Sequence, residues 1–416
     1  MVELLAPAGN PEKLRAAVLY GANAVYLAGT RFGMRAAADN FSEDELKEAV
    51  RFAGSRGVRV YLTLNTMLHE AEYPALESFL DRLRGVGIDA VIAGDLGVIS
   101  LVRKMLPETE IHVSTQASVT GARAAEEYHR LGCSRVVLAR ELTLEEIRAI
   151  RRNISRELQL EVFIHGSMCI SWSGRCLLSN YFTGRDANRG ACAQPCRWNY
   201  DRFYEISEEK RPEMRLPITE TDQGTFVMAS RDLCMIGHIP ELMEAGIDSF
   251  KIEGRIKSAY YTAVTTNTYR MAIDAYQRDP AGYRFDPKWL RELESVSHRE
   301  YGTGFFFDRP QDNAQTVTSP GYLREKAYLA VALSYDPESR TALFAQRNKL
   351  CANDPVELLT PGSPGIPFAA EGLSLPDGTP IDSAPHPMME FRMKVPFPVK
   401  PGDILRGGDS PDSFRL

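Results

Sequence analysis

Residues 248–253 read DSFKIE, and this short run decides between two architectures. A helix candidate precedes it, Leu233–Ala245, and another follows it, Ser258–Tyr276. Upstream lie seven further runs of strand length: Glu3–Ala6, Ala24–Ala28, Val58–Leu64, Ala90–Ala93, Ile111–Ser114, Arg135–Ala139 and Leu160–His165. They are continuously apolar rather than alternating, as suits parallel strands covered on both faces. Amphipathic stretches such as Glu12–Tyr20, Glu43–Ser55, Ala75–Arg84 and Leu144–Asn153 separate them. Ser42 and Thr143 stand as N-caps, the latter with Glu146 three residues on in a capping-box pattern. Gly21, Gly57, Gly87 and Gly132 fall where helices should end. Seven βα units plus DSFKIE predict an α/β fold, a closed (β/α)8 barrel, over an open doubly wound sheet.

The eighth strand arrives late. Residues 167–230 form an insertion after the seventh strand, at the strand end where barrel enzymes carry their chemistry. Within it, residues 199–225 are polar and read as a surface excursion. The barrel is expected to occupy residues 1–278. Residues 279–325, with an aromatic cluster at Phe305–Phe307, read as a connector packing on it. From 326 to 416 short strands alternate with turn signals such as Pro361-Gly362 and Asp377-Gly378, which predicts a small β-barrel-like domain.

At 416 residues and 44% hydrophobic composition the chain has material for two or three domains and a sizeable core. A net charge of −6 is not that of a general nucleic-acid binder, so any RNA contact must use a local basic patch. The opening MVELLAPAGN has no leader-like pattern, and no apolar run is long enough for a bilayer. A soluble, cytoplasmic protein without membrane contact is expected. There an odd count of seven cysteines is not a disulfide framework.

Four cysteines fall in the insertion, Cys169, Cys176, Cys192 and Cys196, spaced C-x6-C-x15-C-x3-C. Cys133 and Cys351 are isolated and read as core residues. Structural zinc usually takes two tight pairs, and only Cys192/Cys196 is one. Irregular spacing suits an iron–sulfur cluster better, though both stay open. Cys234, in SRDLCM at an expected helix start, is a rival fourth ligand.

Arg175, Arg185, Arg189, Arg197 and Arg202 outnumber Asp186 and Asp201 in the same segment, interleaved with Trp172, Tyr181, Phe182, Trp198 and Tyr200. Arginine with aromatics can hold phosphates and stack unpaired bases, or it can simply wrap a cluster. The eighth strand ends in Lys251, Glu253, Arg255 and Lys257, suited to an anionic small molecule. His165, Ser114, Gln116, Asn65, Arg140 and Glu141 also stand at strand ends. Glu253, Arg255 and His165 are the candidate catalytic groups. Arg140, Arg175, Arg197, Lys251 and Lys257 are the candidate substrate-binding ones. HExxH, GxSxG and P-loop motifs are absent.

The segment Glu161-x-Phe163-x2-Gly166-Ser167-Met168-Cys169-x4-Gly174-x-Cys176-x-Leu178-Ser179 resembles the signature of the collagenase-like peptidase family U32. LLAPAGNPEKLRAAVLYGANAVYLAG, VSTQAS, RELTLEEI, RDANRGACAQPCRW and SFKIEGRIKSAYY extend the likeness over residues 3–320, and the β module is also similar. Within the family the chain looks like the bacterial prephenate-dependent tRNA uridine 5-hydroxylation branch. That resemblance implies a 4Fe–4S cluster on Cys169, Cys176, Cys192 and Cys196, with prephenate as co-substrate. It also implies tRNA as partner, wobble uridine as target, and room for an electron-transfer partner. Sister branches hydroxylate ribosomal RNA or ubiquinone. The family name keeps a collagenase-like peptidase as an alternative, and a zinc-stapled scaffold without activity is another.

Overall fold

In the computed structural model the described residues are 2–34, 39–197, 205–208, 211–217, 219–221, 224–226, 230–307, 323 and 326–408. Two compact units emerge. One comprises Met1–Pro11, Asn23–Ile256 and His298–Tyr322; the other comprises Glu12–Ala22, Lys257–Ser297 and Leu323–Leu416.

The first unit is a closed parallel barrel. Its strands are β1 (Glu3–Pro7), β2 (Ala24–Leu27), β3 (Arg59–Leu64), β4 (Ala90–Ala93), β5 (Glu110–Val113), β6 (Arg135–Val137) and β7 (Gln159–Ser167). A short strand β8 (Asp232–Cys234) precedes β9 (Ser249–Ile252), which is DSFKIE in its expected place. Each barrel strand pairs with the next, and β9 pairs with both β7 and β1, which completes the ring. Closure leaves no open edge among the eight. Ser42 and Thr143 both form full capping boxes. Gly21, Gly57, Gly87 and Gly132 all take positive φ, as helix-ending residues do.

One expectation is corrected. Leu233–Ala245 is not one helix, and Cys234 does not begin one. Asp232–Cys234 is extended and antiparallel to β7, with Asp232 opposite Ser167 and Cys234 opposite His165. The helix begins at Ile239, with Pro240 in its first turn. Proline lacks the N–H that an earlier start would need, while the ladder and a buried ion pair hold Asp232 extended. Arg299 donates to Asp232 through Nε at 2.9 Å and Nη2 at 2.6 Å. A strand β10 (Tyr301–Gly302) lies parallel to β8. The stretch read as a connector also contains a helix, Pro287–Glu294, capped by the Asp286 side chain.

The second unit contains the long helix Ala259–Arg278 and a seven-stranded antiparallel sheet. The sheet strands include Tyr328–Asp336, Thr341–Gln346, Pro355–Leu359, Glu390–Lys394 and Ile404–Gly407. Phe344 and Phe391 stack at 5.6 Å in its core. Buried Arg406 joins Glu292 and Glu357 at 2.7 Å each. Among the described residues no helix is long and apolar enough to cross a membrane.

Candidate functional site

The interior of the barrel is ionic at one level and open at the next. Arg135 on β6 bonds Glu3 on β1 and Glu161 on β7, the latter at 3.0 Å. Tyr61 on β3 donates to Glu3 at 2.5 Å. Strands β1 and β3, like β1 and β6, are not neighbours, so these side chains meet across the interior. Lys251 Nζ on β9 lies 2.8 Å from Glu161 Oε1 and 4.6 Å from the Tyr26 ring. Two cations and two carboxylates, all largely buried, thus balance one another. Burial alone would raise the Glu161 pKa, but Lys251 and Arg135 hold it down at about 2. His112, buried beside Tyr61, is pushed below its ordinary value by desolvation. The signal for this network is present in the sequence. Glu3, Arg135, Glu161 and Lys251 are charged residues set among apolar neighbours in their strands.

Above that level a cavity opens at the C-terminal ends of the strands. Its lining includes Tyr26, Thr63, Phe163 and Lys251 from the strands, and Asn65, Ser114, Gln116, Arg140, Glu253 and Arg255 from their ends. Arg140, Lys251 and Arg255 supply three cations against one lining carboxylate, Glu253. Arg255 is 3% exposed and donates through Nη1 to Thr63 Oγ1 at 2.8 Å. Arg140 donates to the Ser167 carbonyl and to Ser173 Oγ, both at 3.0 Å, and stands 5.3 Å from the Phe163 ring. Its Nε and the Gln116 Oε1 are buried without a hydrogen-bond partner among the described residues. Glu141, next in the chain, is pushed above the ordinary carboxylate value by burial.

The other candidates lie elsewhere. His165 is buried in β7 with its ring 5.4 Å from Tyr301, outside the cavity lining. Lys257 belongs to the second unit, where Nζ donates to the Ser297 carbonyl at 3.0 Å. Arg175 is exposed on the insertion. The Arg197 side chain lies outside the described residues, as do Trp198, Tyr200, Asp201 and Arg202.

The insertion is fastened over this mouth by specific bonds. Arg189 makes a two-pronged ion pair with Glu72, at 2.7 Å on both arms, and bonds the Met67 carbonyl. Ser118 Oγ donates to the Ser173 carbonyl at 3.1 Å. Asn188 ties back to the Cys176 carbonyl at 3.0 Å.

All four insertion cysteines are free thiols; Cys169 and Cys192 are exposed, Cys176 and Cys196 half-buried. The Gln194 N–H already points at Cys192 Sγ, 3.3 Å away. Four accessible thiols on one fastened segment, with a backbone donor to sulfur, form a donor set whose chemistry fits a thiolate-held group. Among the described residues no three Cys, His, Asp or Glu side chains are drawn together at metal distance. Cys234 is buried in β8, opposite His165.

The chain is 37% identical, over 98% of its own length and 94% of the relative's, to tRNA hydroxylation protein P1 of Bacillus subtilis (strain 168). It is 34% identical to tRNA hydroxylation protein P of Escherichia coli (strain K12), over 95% of this chain and 94% of that one. A protein named collagenase from Porphyromonas gingivalis is 31% identical over 80% of each chain. Residues 9–316 match the model of peptidase family U32, and residues 324–406 match its C-terminal domain. With both segments matched, the chain belongs to peptidase family U32.

Proposed function

We propose that this protein is an RNA-modifying enzyme that hydroxylates the wobble uridine of tRNA at C5 in the cytoplasm. Prephenate would be co-substrate, and a 4Fe–4S cluster would be held by Cys169, Cys176, Cys192 and Cys196. The observation that carries the reading is kinship along nearly the whole chain with two proteins named for tRNA hydroxylation. The cavity agrees with it. Prephenate is a dicarboxylate, and Arg140 and Arg255 enter the cavity from beyond the ends of β6 and β9, on either side of β7, each steadied by a hydroxyl. A guanidinium so fixed offers a planar fork to a carboxylate with little ordering cost. Lys251 lies beneath them, its Nζ 2.8 Å from Glu161 Oε1. Glu253 is the lining carboxylate able to orient a hydroxyl or hold a proton. A cluster with four thiolate ligands would supply electron transfer or local rigidity at the mouth.

Mass spectrometry of tRNA nucleosides from a deletion strain tests this. 5-Hydroxyuridine and its derivatives should vanish, return with the wild-type gene and stay absent with Cys169→Ala. Retention of the nucleoside in the deletion strain sinks the proposal. The collagenase kinship favours a peptidase less, because His165, the base near Cys169 in sequence, is buried in the barrel wall while that thiol is exposed.

A further inference from the structure

The insertion exposes an unusual share of apolar surface. Trp172 is 46% exposed, Phe182 55%, Leu177 71% and Tyr181 86%. Clustered exposure of this kind marks contact with a partner. Tyr181 and Phe182 meet edge to face, centroids 6.0 Å apart, so each ring steadies the other. Arg175 and Arg185 lie in the same segment and are exposed. Arg185 is anchored through Nε to the Ala191 carbonyl at 3.1 Å, and neither arginine forms an ion pair among the described residues. Arg189, engaged with Glu72, is excluded from this set.

One end of this segment adjoins the cavity. Ser173 lines the cavity and receives Arg140, while its neighbour Trp172 is turned out to solvent. Gly174 packs so closely on Gln116 that a Cβ there would stand 2.5 Å from Gln116 Oε1. Trp172 and Arg175 therefore flank a rim whose inner side is the cavity wall.

We propose that Trp172, Arg175, Tyr181, Phe182 and Arg185 form the platform for an unpaired RNA loop. The bases beside the modified one stack on the rings, and their phosphates meet the two arginines. The inference rests on RNA being the substrate. A base inside a duplex cannot enter a recessed cavity, so the target must be splayed out and its neighbours lose their stacking partners. Exposed aromatic faces replace that stacking without regard to sequence. A chain with net charge −6 needs its cations concentrated where phosphates arrive, and among the described residues these two form no ion pair. A protein partner also favours aromatics and arginine. It has no use for a cavity opening at the patch edge, whereas an extruded base does.

Fluorescence anisotropy of full-length, anaerobically purified protein decides the matter, using a labelled anticodon stem–loop and a fully paired duplex. Tyr181→Ala and Phe182→Ala should each weaken loop binding about tenfold, and leave duplex binding unchanged. Arg175→Ala and Arg185→Ala should each lower the slope of log Kd against log salt by about 0.7. Tyr181→Trp should restore affinity. Loop RNA, but not duplex, should quench an emission component missing from Trp172→Phe. Iron content and thermal midpoint of each variant separate lost contact from lost fold. Unchanged loop affinity in the Tyr181→Ala/Phe182→Ala protein overturns the inference, as does equal loss on both RNAs. So does normal RNA binding in variants that fail only to accept electrons from a protein donor. If wild type binds no RNA and the deletion strain keeps its 5-hydroxyuridine, the enzymatic reading falls as well. If wild type modifies tRNA and the double variant does so equally, the platform alone falls.

Discussion

Gly166 on β7 packs against the backbone of Glu253: a Cβ at position 166 would stand 2.4 Å from the Glu253 carbonyl oxygen. Gly166 also sits at φ +107°, where a side chain is strained whatever the space. Gly166→Ala should therefore cost on the order of 1–3 kcal/mol. Urea titration should show a lower midpoint, and co-substrate affinity should fall with it as Glu253 is pushed from the cavity wall.

Glu161 and Lys251 form a buried pair at 2.8 Å. Lys251→Met removes one charge and leaves Glu161 leaning on Arg135 alone, with an expected loss of about 3–5 kcal/mol. The Glu161→Gln/Lys251→Met double variant should recover part of that loss, as a double-mutant cycle would measure. The folded-state pKa of Glu161 lies at about 2, below its ordinary carboxylate value. Its stabilisation is thus fully present above the unfolded value and disappears as pH falls through the carboxylate range towards the folded one. Urea midpoints across that range should slope less steeply in Glu161→Gln than in wild type.

Arg189→Ala cuts the two-pronged bond to Glu72, a partly exposed pair. Global stability should change by less than about 1 kcal/mol. Chymotrypsin should nevertheless cleave after Tyr181 or Phe182 sooner than in wild type, since the segment is then less well fastened. Glu72, held at about 2 chiefly by its Arg189 bonds, predicts the same loosening in wild type as pH drops through the carboxylate range.

Arg140→Lys and Arg255→Lys keep charge but lose the planar fork. Each should weaken dicarboxylate binding about tenfold or more, seen by calorimetry with prephenate. Arg255→Lys should have the larger effect, because Arg255 is the more deeply buried of the two. Equal affinity in both variants and wild type would remove these arginines from the proposed co-substrate site.

Cys196→Ala should lose iron, sulfide and brown colour after anaerobic purification, while Cys234→Ala keeps them. The reason is position: Cys196 shares the insertion with the other thiols, and Cys234 is buried in a ladder opposite His165. Iron and sulfide assays on the two proteins separate the alternatives.

Much of the fold was legible because each barrel strand is short, apolar and bounded by a cap or a glycine. DSFKIE fell where the ring closes, and Ser42 and Thr143 did what their spacing foretold. The region around Leu233 was misread because its apolar content suits helix and buried strand alike; partner strands decide such segments, and sequence spacing does not. The site was legible in part. Arg140, Lys251, Glu253 and Arg255 were singled out from strand-end positions, and all four line one cavity. His165 was drawn in by the same rule, though its side chain packs into the wall. Glu3 and Arg135 escaped notice as partners because they are far apart in sequence and meet only once the cylinder closes.

The chain leaves the barrel at Ser167 and returns at Asp232, and these two residues face each other in one antiparallel ladder. Both gateposts are anchored, Asp232 by Arg299 and the Ser167 carbonyl by Arg140. The intervening stretch is accordingly a cassette with a fixed footprint. The register of β7 and β8 is held by this ladder and its two anchors rather than by the stretch between them. A single cylinder of this kind leaves its cationic pocket in place whatever the stretch between the two posts contains.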